Sequence, residues 1–104
     1  MRGKVVHCLR QPFDVYIGRE YRRNGVYHPA SKWQNPFHLG PDGSRDEVIS
    51  KYRERLLQIP ELLAALPELR GKRLGCFCAP KACHGDVLLE LAEKAQPQLG
   101  LDFE

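Results

Sequence analysis

Residues 73–93, RLGCFCAPKACHGDVLLELAE, decide how this chain is read, because a strand, a tight loop and a helix follow one another there. Arg73 to Cys78 reads as a short strand. Leu74 and Phe77 are apolar, Gly75 permits close backbone approach, and Ala79-Pro80 ends the run. Side chains at i and i+2 leave the same face of a strand, so Cys76 and Cys78 point together and Phe77 points away. From Asp86 onward Val87, Leu88, Leu91, Ala92 and Ala95 recur at helical spacing. Cys83 and His84 therefore stand at the first turn of a helix. Unpaired backbone N–H groups and the positive dipole end lie there, and both lower a thiol pKa and attract anions.

Three of the four cysteines and one of the four histidines fall within residues 76–84. Cys76, Cys78, Cys83 and His84 form one candidate set, a tetrahedral group of zinc ligands drawn from a strand and a helix start. The spacing C-x-C-x4-C-H is not a standard finger spacing, and neighbours such as Cys83 and His84 face one ion only if the backbone bends. A second reading makes Cys83 a reactive thiol, electropositive through the helix start, His84 and Lys81, with His84 and Asp86 beside it in a catalytic centre. A third has the cysteines buried as small hydrophobes, with His84 opening the core stripe that Val87 and Leu88 continue. So dense a cluster favours metal or thiol chemistry over burial.

The run GCFCAPKACHGDVL, with VYIGR at 15–19 and SKWQNPF at 31–37, resembles a family of small bacterial, archaeal and phage proteins known as the domain of unknown function numbered four-three-two-six. The resemblance covers positions 5 to about 95 and rests on three motifs in order. It implies a compact α/β domain. Its motif positions here are Tyr16, Gly18, Arg19, Ser31, Lys32, Trp33, Asn35, Pro36, Phe37, Cys76, Cys78, Cys83, His84, Gly85 and Asp86. Gln34 stands where the family pattern has glycine, and Phe77 where tryptophan is common.

At 104 residues and 42% hydrophobic, the chain has the size of one domain with a modest core, expected over residues 1–96. Residues 97–104, with Pro97 and Gly100, read as a C-terminal tail. No run approaches the length of a membrane span, and MRGKVVHCL lacks the apolar stretch of a signal peptide. A cytoplasmic location without a membrane partner is the expectation. In a reducing cytosol, clustered cysteines are more often metal ligands or working thiols than disulfides. Cys8, alone on a predicted strand, receives no role.

The net charge of +3 is unevenly placed. Residues 1–40 carry seven Lys and Arg against Asp14 and Glu20, leaving +5 there and −2 in the remainder. Tyr16, Tyr21, Tyr27, Trp33 and Phe37 interleave with these cations. Nucleobases stack on such rings while Arg and Lys meet phosphate. The partner expected is a phosphate-bearing ligand, a nucleotide or a single-stranded nucleic acid. Solvated surface charge is the plainer alternative.

Lys4 to Leu9 reads as a first strand and Val15-Tyr16-Ile17 as a second, ended by Gly18, where a ligand can approach the backbone. Arg19 follows at that strand end. Residues 20–44 show no sustained period and are punctuated by turn signals at Asn24-Gly25, Pro29, Pro36, Gly40-Pro41 and Asp42-Gly43. Apolar anchors in this segment argue for an ordered loop, within which Ser31, Lys32 and Asn35 are candidate ligand contacts and Trp33 a core plug. Ser44 and Glu47 fit a capping box that opens a helix from Arg45 to about Gln58, with Val48, Ile49, Tyr52 and Leu56 buried. Pro60 starts a second helix through Leu66, and Pro67 stops it.

The order ββ, loop, αα, β, α predicts an α/β domain with three helices against a small mixed sheet, and its last crossover fits a Rossmann-like arrangement. Ligands of open α/β sheets sit at the carboxyl ends of strands, where Gly18-Arg19 and Cys78 both fall. The candidate ligand contacts are thus Tyr16, Gly18, Arg19, Ser31, Lys32 and Asn35. Three functions compete. One is an enzyme or sensor of a nucleotide-like substrate, using Cys83 as thiolate or a metal on the Cys/His set. The second is a non-catalytic nucleic-acid-binding module pinned by structural zinc. The third is a protein-interaction domain with buried free cysteines. Walker loops, dinucleotide fingerprints, zinc-protease helices and nucleophile elbows are missing from the sequence.

Overall fold

A computed structural model describes residues 3–95. Strand β1 (Lys4–His7), strand β2 (Val15–Tyr16) and strand β5 (Arg73–Cys76) form a parallel sheet in the order β1-β5-β2. His7 is level with Cys76, and Tyr16 with Gly75, so three carboxyl ends share one edge. β5 lies in the middle, which explains why Leu74, Gly75 and Cys76 are all buried. Gly75 is required there: a Cβ would stand 2.7 Å from the ring of Phe13. At the opposite end, Asp14 accepts the N–H of Arg73 at 2.8 Å and also pairs with its guanidinium.

The expected loop over residues 20–44 needs correction, because it contains a hairpin. Strand β3 (Tyr21–Arg23) and strand β4 (Val26–His28) pair antiparallel around Asn24-Gly25, whose φ angles of 53° and 77° suit a tight two-residue hairpin turn. Each strand has only three residues, too few to display alternation. The α/β class is as expected, but the parallel and antiparallel pairs belong to two sheets rather than one.

Helix α1 (Arg45–Leu56) starts at the foreseen capping box: Ser44 Oγ accepts the Glu47 N–H, and the Glu47 carboxylate accepts the Ser44 N–H at 2.7 Å. Val48, Tyr52 and Leu56 form its buried stripe, with Ile49 half-buried beside them. Helix α2 (Pro60–Ala65) begins with proline, and a 3-10 turn (Leu66–Leu69) follows it directly. Pro67 therefore starts a turn instead of stopping a helix, consistent with its fixed φ and missing N–H. Helix α3 (His84–Lys94) returns across the sheet and buries Val87, Leu88 and Ala92. Trp33 plugs the core as expected, its carbonyl accepting the Tyr52 hydroxyl at 2.7 Å.

No helix among the described residues is long and apolar enough to cross a membrane. The tail expected at 97–104 lies outside the described residues.

Candidate functional site

Cys76 closes β5, Cys78 follows two residues later, and Cys83 is the N-cap of α3. The chain thus leaves the sheet edge, turns, and delivers a third sulfur back to the first two. The three sulfurs lie within 4.8 Å of one another, and those of Cys76 and Cys83 are 3.4 Å apart. Cys76 and Cys83 are buried, whereas Cys78 is half-exposed. The cap of α3 is reciprocal. Cys83 Sγ accepts the N–H of Gly85 at 3.3 Å, and Asp86 Oδ2 accepts the N–H of Cys83 at 3.0 Å. Asp86 acts here as a cap, fixing the backbone of a cysteine.

His84 needs correction as a member of the metal set. It occupies the first helical position, but only the three cysteines bring their ligand atoms together. The His84 Nε2 faces the carbonyl of Ile17 at 2.8 Å, and the ring lies edge-on to Tyr52, 4.9 Å between centroids. Burial lowers its pKa, so the neutral ring donates its Nε2 proton to that carbonyl. Adjacency explains the outcome: Cys83 is the extended cap and His84 the first helical residue, and with Cys83 turned to the sulfurs His84 faces Ile17, just past the end of β2.

The surroundings of Cys83 run against the expectation that it is the acidic thiol. Hydrogen bonds with Cys76 and Cys78, together with burial, push Cys83 up. Cys76 is raised as well, first through its hydrogen bond to Cys78. Cys78 is pushed well below the ordinary thiol range, first by hydrogen bonding with Cys76 and then with Cys83, the Arg45 guanidinium adding to the effect. These surroundings favour charge on Cys78 over Cys76 and Cys83. The N–H groups of the helix start lower Cys83 by less than its two neighbouring sulfurs and its burial raise it.

A cavity of about 350 Å³ opens over the trio, and all three cysteines line it. Tyr16, Gly18, Arg19 and Asn35 border it. Arg19 is committed to architecture: its guanidinium donates to the carbonyls of Asn35 at 2.7 Å and Phe37 at 2.9 Å. The Tyr16 hydroxyl donates to the carbonyl of Arg19, and burial first among several causes raises its pKa to about 12. Asn35 Oδ1 accepts the Phe37 N–H at 2.9 Å, holding the turn. Ser31 and Lys32 are elsewhere, in a second hollow of about 270 Å³ beside Arg55. There Ser31 Oγ accepts the Trp33 N–H, and Lys32 pairs with Glu68 at 3.3 Å.

Sequence reasoning missed Arg45 and Phe77 as cavity residues and had Tyr21 only among the rings available for stacking. Arg45 Nη1 donates to the carbonyl of Ala82 at 3.0 Å and so ties α1 to the cysteine loop. Only its place at a helix start next to a capping box hinted at it. Tyr21 and Phe77 pack against each other, 4.7 Å between centroids, and Tyr16 stacks on His28 at 4.5 Å. An aromatic wall therefore stands between the hairpin and the cysteines.

A family model, Domain of unknown function (DUF4326), matches residues 2–94. The "Uncharacterized protein R718" of Acanthamoeba polyphaga mimivirus is 38% identical over 89 residues, covering 78% of this chain and 68% of its own. The "Uncharacterized 12.4 kDa protein in nrdA-td intergenic region" of Enterobacteria phage T4 is 34% identical over 96 residues, covering 88% of this chain and 78% of its own. No solved structure matches the chain.

Proposed function

The chain belongs to the family Domain of unknown function (DUF4326), and for this member we propose a small nucleotide-associated protein that holds one zinc ion on Cys76, Cys78 and Cys83 at the floor of its cavity. One observation carries the reading. Three sulfurs within 4.8 Å of one another belong to residues that all line a cavity of about 350 Å³. Cysteines buried only as small hydrophobes have no reason to converge or to border open space.

The donor set fits a thiophilic ion. Soft thiolates select zinc and similar metals over magnesium or calcium. Three thiolates around one zinc at about 2.3 Å sit about 3.8 Å apart in tetrahedral geometry, within the range spanned by the 3.4 Å pair and the 4.8 Å limit. A four-iron four-sulfur cluster fits poorly, since each cysteine would bind a different iron and the sulfurs would have to spread. Three thiolates and a dication leave one negative charge, which Arg45 beside Cys78 offsets. Zinc on three protein ligands keeps a fourth position for water or a ligand. The aromatic wall and the Arg45 guanidinium support a nucleotide-like occupant, which needs ring stacking and phosphate neutralisation together. A reducing cytoplasm keeps such thiolates available.

A second reading, Cys78 as a nucleophile, is favoured by one observation: it is the half-exposed sulfur of the trio, and its surroundings push its pKa down. Elemental analysis with thiol titration separates the two. The metal reading expects about one zinc per chain and a lowered melting temperature after chelation. Metal-free protein with freely titrating thiols and an unchanged melting temperature overturns it in favour of the thiol.

A further inference from the structure

We infer that the ion's fourth ligand is supplied by the bound molecule itself, through a ring nitrogen of a purine nucleoside phosphate. This rests on the metal reading above and deepens it by naming how metal and ligand meet.

The protein side chains that would otherwise complete the coordination are spent elsewhere. His84 Nε2 is at the Ile17 carbonyl, and its ring stays outside the sulfur group. Asp86 accepts the Cys83 N–H. Glu20, also on the cavity wall, pairs with Arg22 at 3.5 Å. Cys8 gives its backbone N–H to Cys76, but its sulfur is outside the trio. Among the described residues no fourth His, Cys, Asp or Glu joins the three.

What borders the trio instead is the cavity. Its volume is within the range of small-molecule sites, and its walls set the occupant's chemistry. Tyr16, Tyr21 and Phe77 offer ring faces and edges to a planar heteroaromatic body. Arg45 lines the cavity and reaches the cysteine loop at the Ala82 carbonyl, a position from which its charge can meet an anionic group on the ligand. A ring nitrogen is a donor that zinc accepts readily. Ring and phosphate joined in one molecule describe a nucleotide, and a purine presents an imidazole-type nitrogen on its exposed edge.

Cobalt substitution of the full chain tests the inference, because visible bands of cobalt(II) report its coordination directly. The probes are adenosine monophosphate and ribose 5-phosphate, which carries phosphate without a base. Adenosine monophosphate is expected to shift the cobalt bands saturably, and ribose 5-phosphate to leave them unchanged. The Cys8→Ser variant is expected to keep the original spectrum. Unmoved bands, whether or not calorimetry detects adenosine monophosphate binding, overturn the inference and leave the metal reading standing. Altered bands in Cys8→Ser overturn it too, since the protein then provides the fourth ligand. A chain that takes up no cobalt sinks the metal reading itself.

Discussion

Cys76 and Cys83 bring their sulfurs to 3.4 Å from different elements, one ending β5 and the other capping α3. The approach depends on how closely α3 begins against the sheet. Gly85 makes that possible: a Cβ there would stand 2.8 Å from Val5 Cγ2, 2.9 Å from Ile17 Cδ1 and 3.3 Å from Cys83 Sγ.

Gly85→Ala is therefore expected to destabilise the protein. Alanine improves helix propensity by about 1 kcal/mol, but overpacking of this kind costs about 1–3 kcal/mol. The stiff branched side chain of Val5 has little room to yield, so a net loss of up to about 2 kcal/mol should appear as an earlier urea midpoint. An unchanged or later midpoint would mean that α3 does not depend on this contact.

Glu90 makes stability depend on pH in the acid range. Its carboxylate meets Arg53 of α1 at 2.6 Å and Lys94 at 3.1 Å, and these two cations, Arg53 first, hold its pKa down to about 2 against an ordinary 4.5. A folded pKa below the unfolded one gives stability that is fully present above about pH 4.5 and is lost as pH falls toward 2. The side chains are partly solvated, so the contribution is modest and screened by salt. Glu90→Gln should reduce the fall in denaturation midpoint between pH 5 and 2, and equal slopes in both proteins would remove the pair from the account.

Much of this fold is legible in sequence because its signals are local. Ser44 and Glu47 announce a helix start, and the stripe Val48, Tyr52, Leu56 repeats at helical spacing. The strand-turn-helix of residues 73–93 is equally direct, apart from a strand that ends at Cys76 instead of Cys78. The hairpin was illegible because its strands are three residues long and Arg22 and Arg23 obscure alternation; pairing across Asn24-Gly25, with Arg22 lying 4.3 Å over the Tyr27 ring, holds it. The site divides in the same way. Cys76 and Cys78 were linked by period two, whereas Arg45 reaches the cysteine loop from 37 positions before Ala82. No local pattern encodes that contact, nor the turn of His84 toward Ile17.

Alkylation should single out Cys78 in metal-free protein. It is the half-exposed member of the trio and the one whose charge its neighbours stabilise, while burial raises Cys8. Limited iodoacetamide treatment between pH 6 and 9, with sites mapped by mass spectrometry, should give a nearly flat rate at Cys78, whose thiolate is already formed. At Cys8 the rate should rise about tenfold per pH unit below its pKa. Preferential labelling of Cys83 would show that the charge has been assigned to the wrong sulfur.

Arg45 and Lys32 are expected to part company in ligand binding, although both were available to phosphate on charge alone. Arg45 borders the cavity over the cysteines, whereas Lys32 belongs to the second hollow and is paired with Glu68. A lost hydrogen bond to a charged group costs about 1.5–3 kcal/mol, so Arg45→Ala should weaken adenosine monophosphate about tenfold to a hundredfold. Lys32→Ala should change affinity by less than about twofold, as expected for an exposed pair outside the site. Because Arg45 also holds the Ala82 carbonyl, Arg45→Lys provides the control: a retained charge should keep the salt dependence even where affinity falls. Arg19→Ala should act through the loop whose carbonyls it clamps, weakening binding without flattening that dependence. Single-stranded oligonucleotides extend the test, since each neutralised phosphate adds about −0.7 to the slope of log affinity against log salt. A cavity that admits one nucleotide predicts a slope of no more than one or two such increments. A steeper slope, or equal losses in the Arg45 and Lys32 variants, would place the anion on the basic surface instead of over the cysteines.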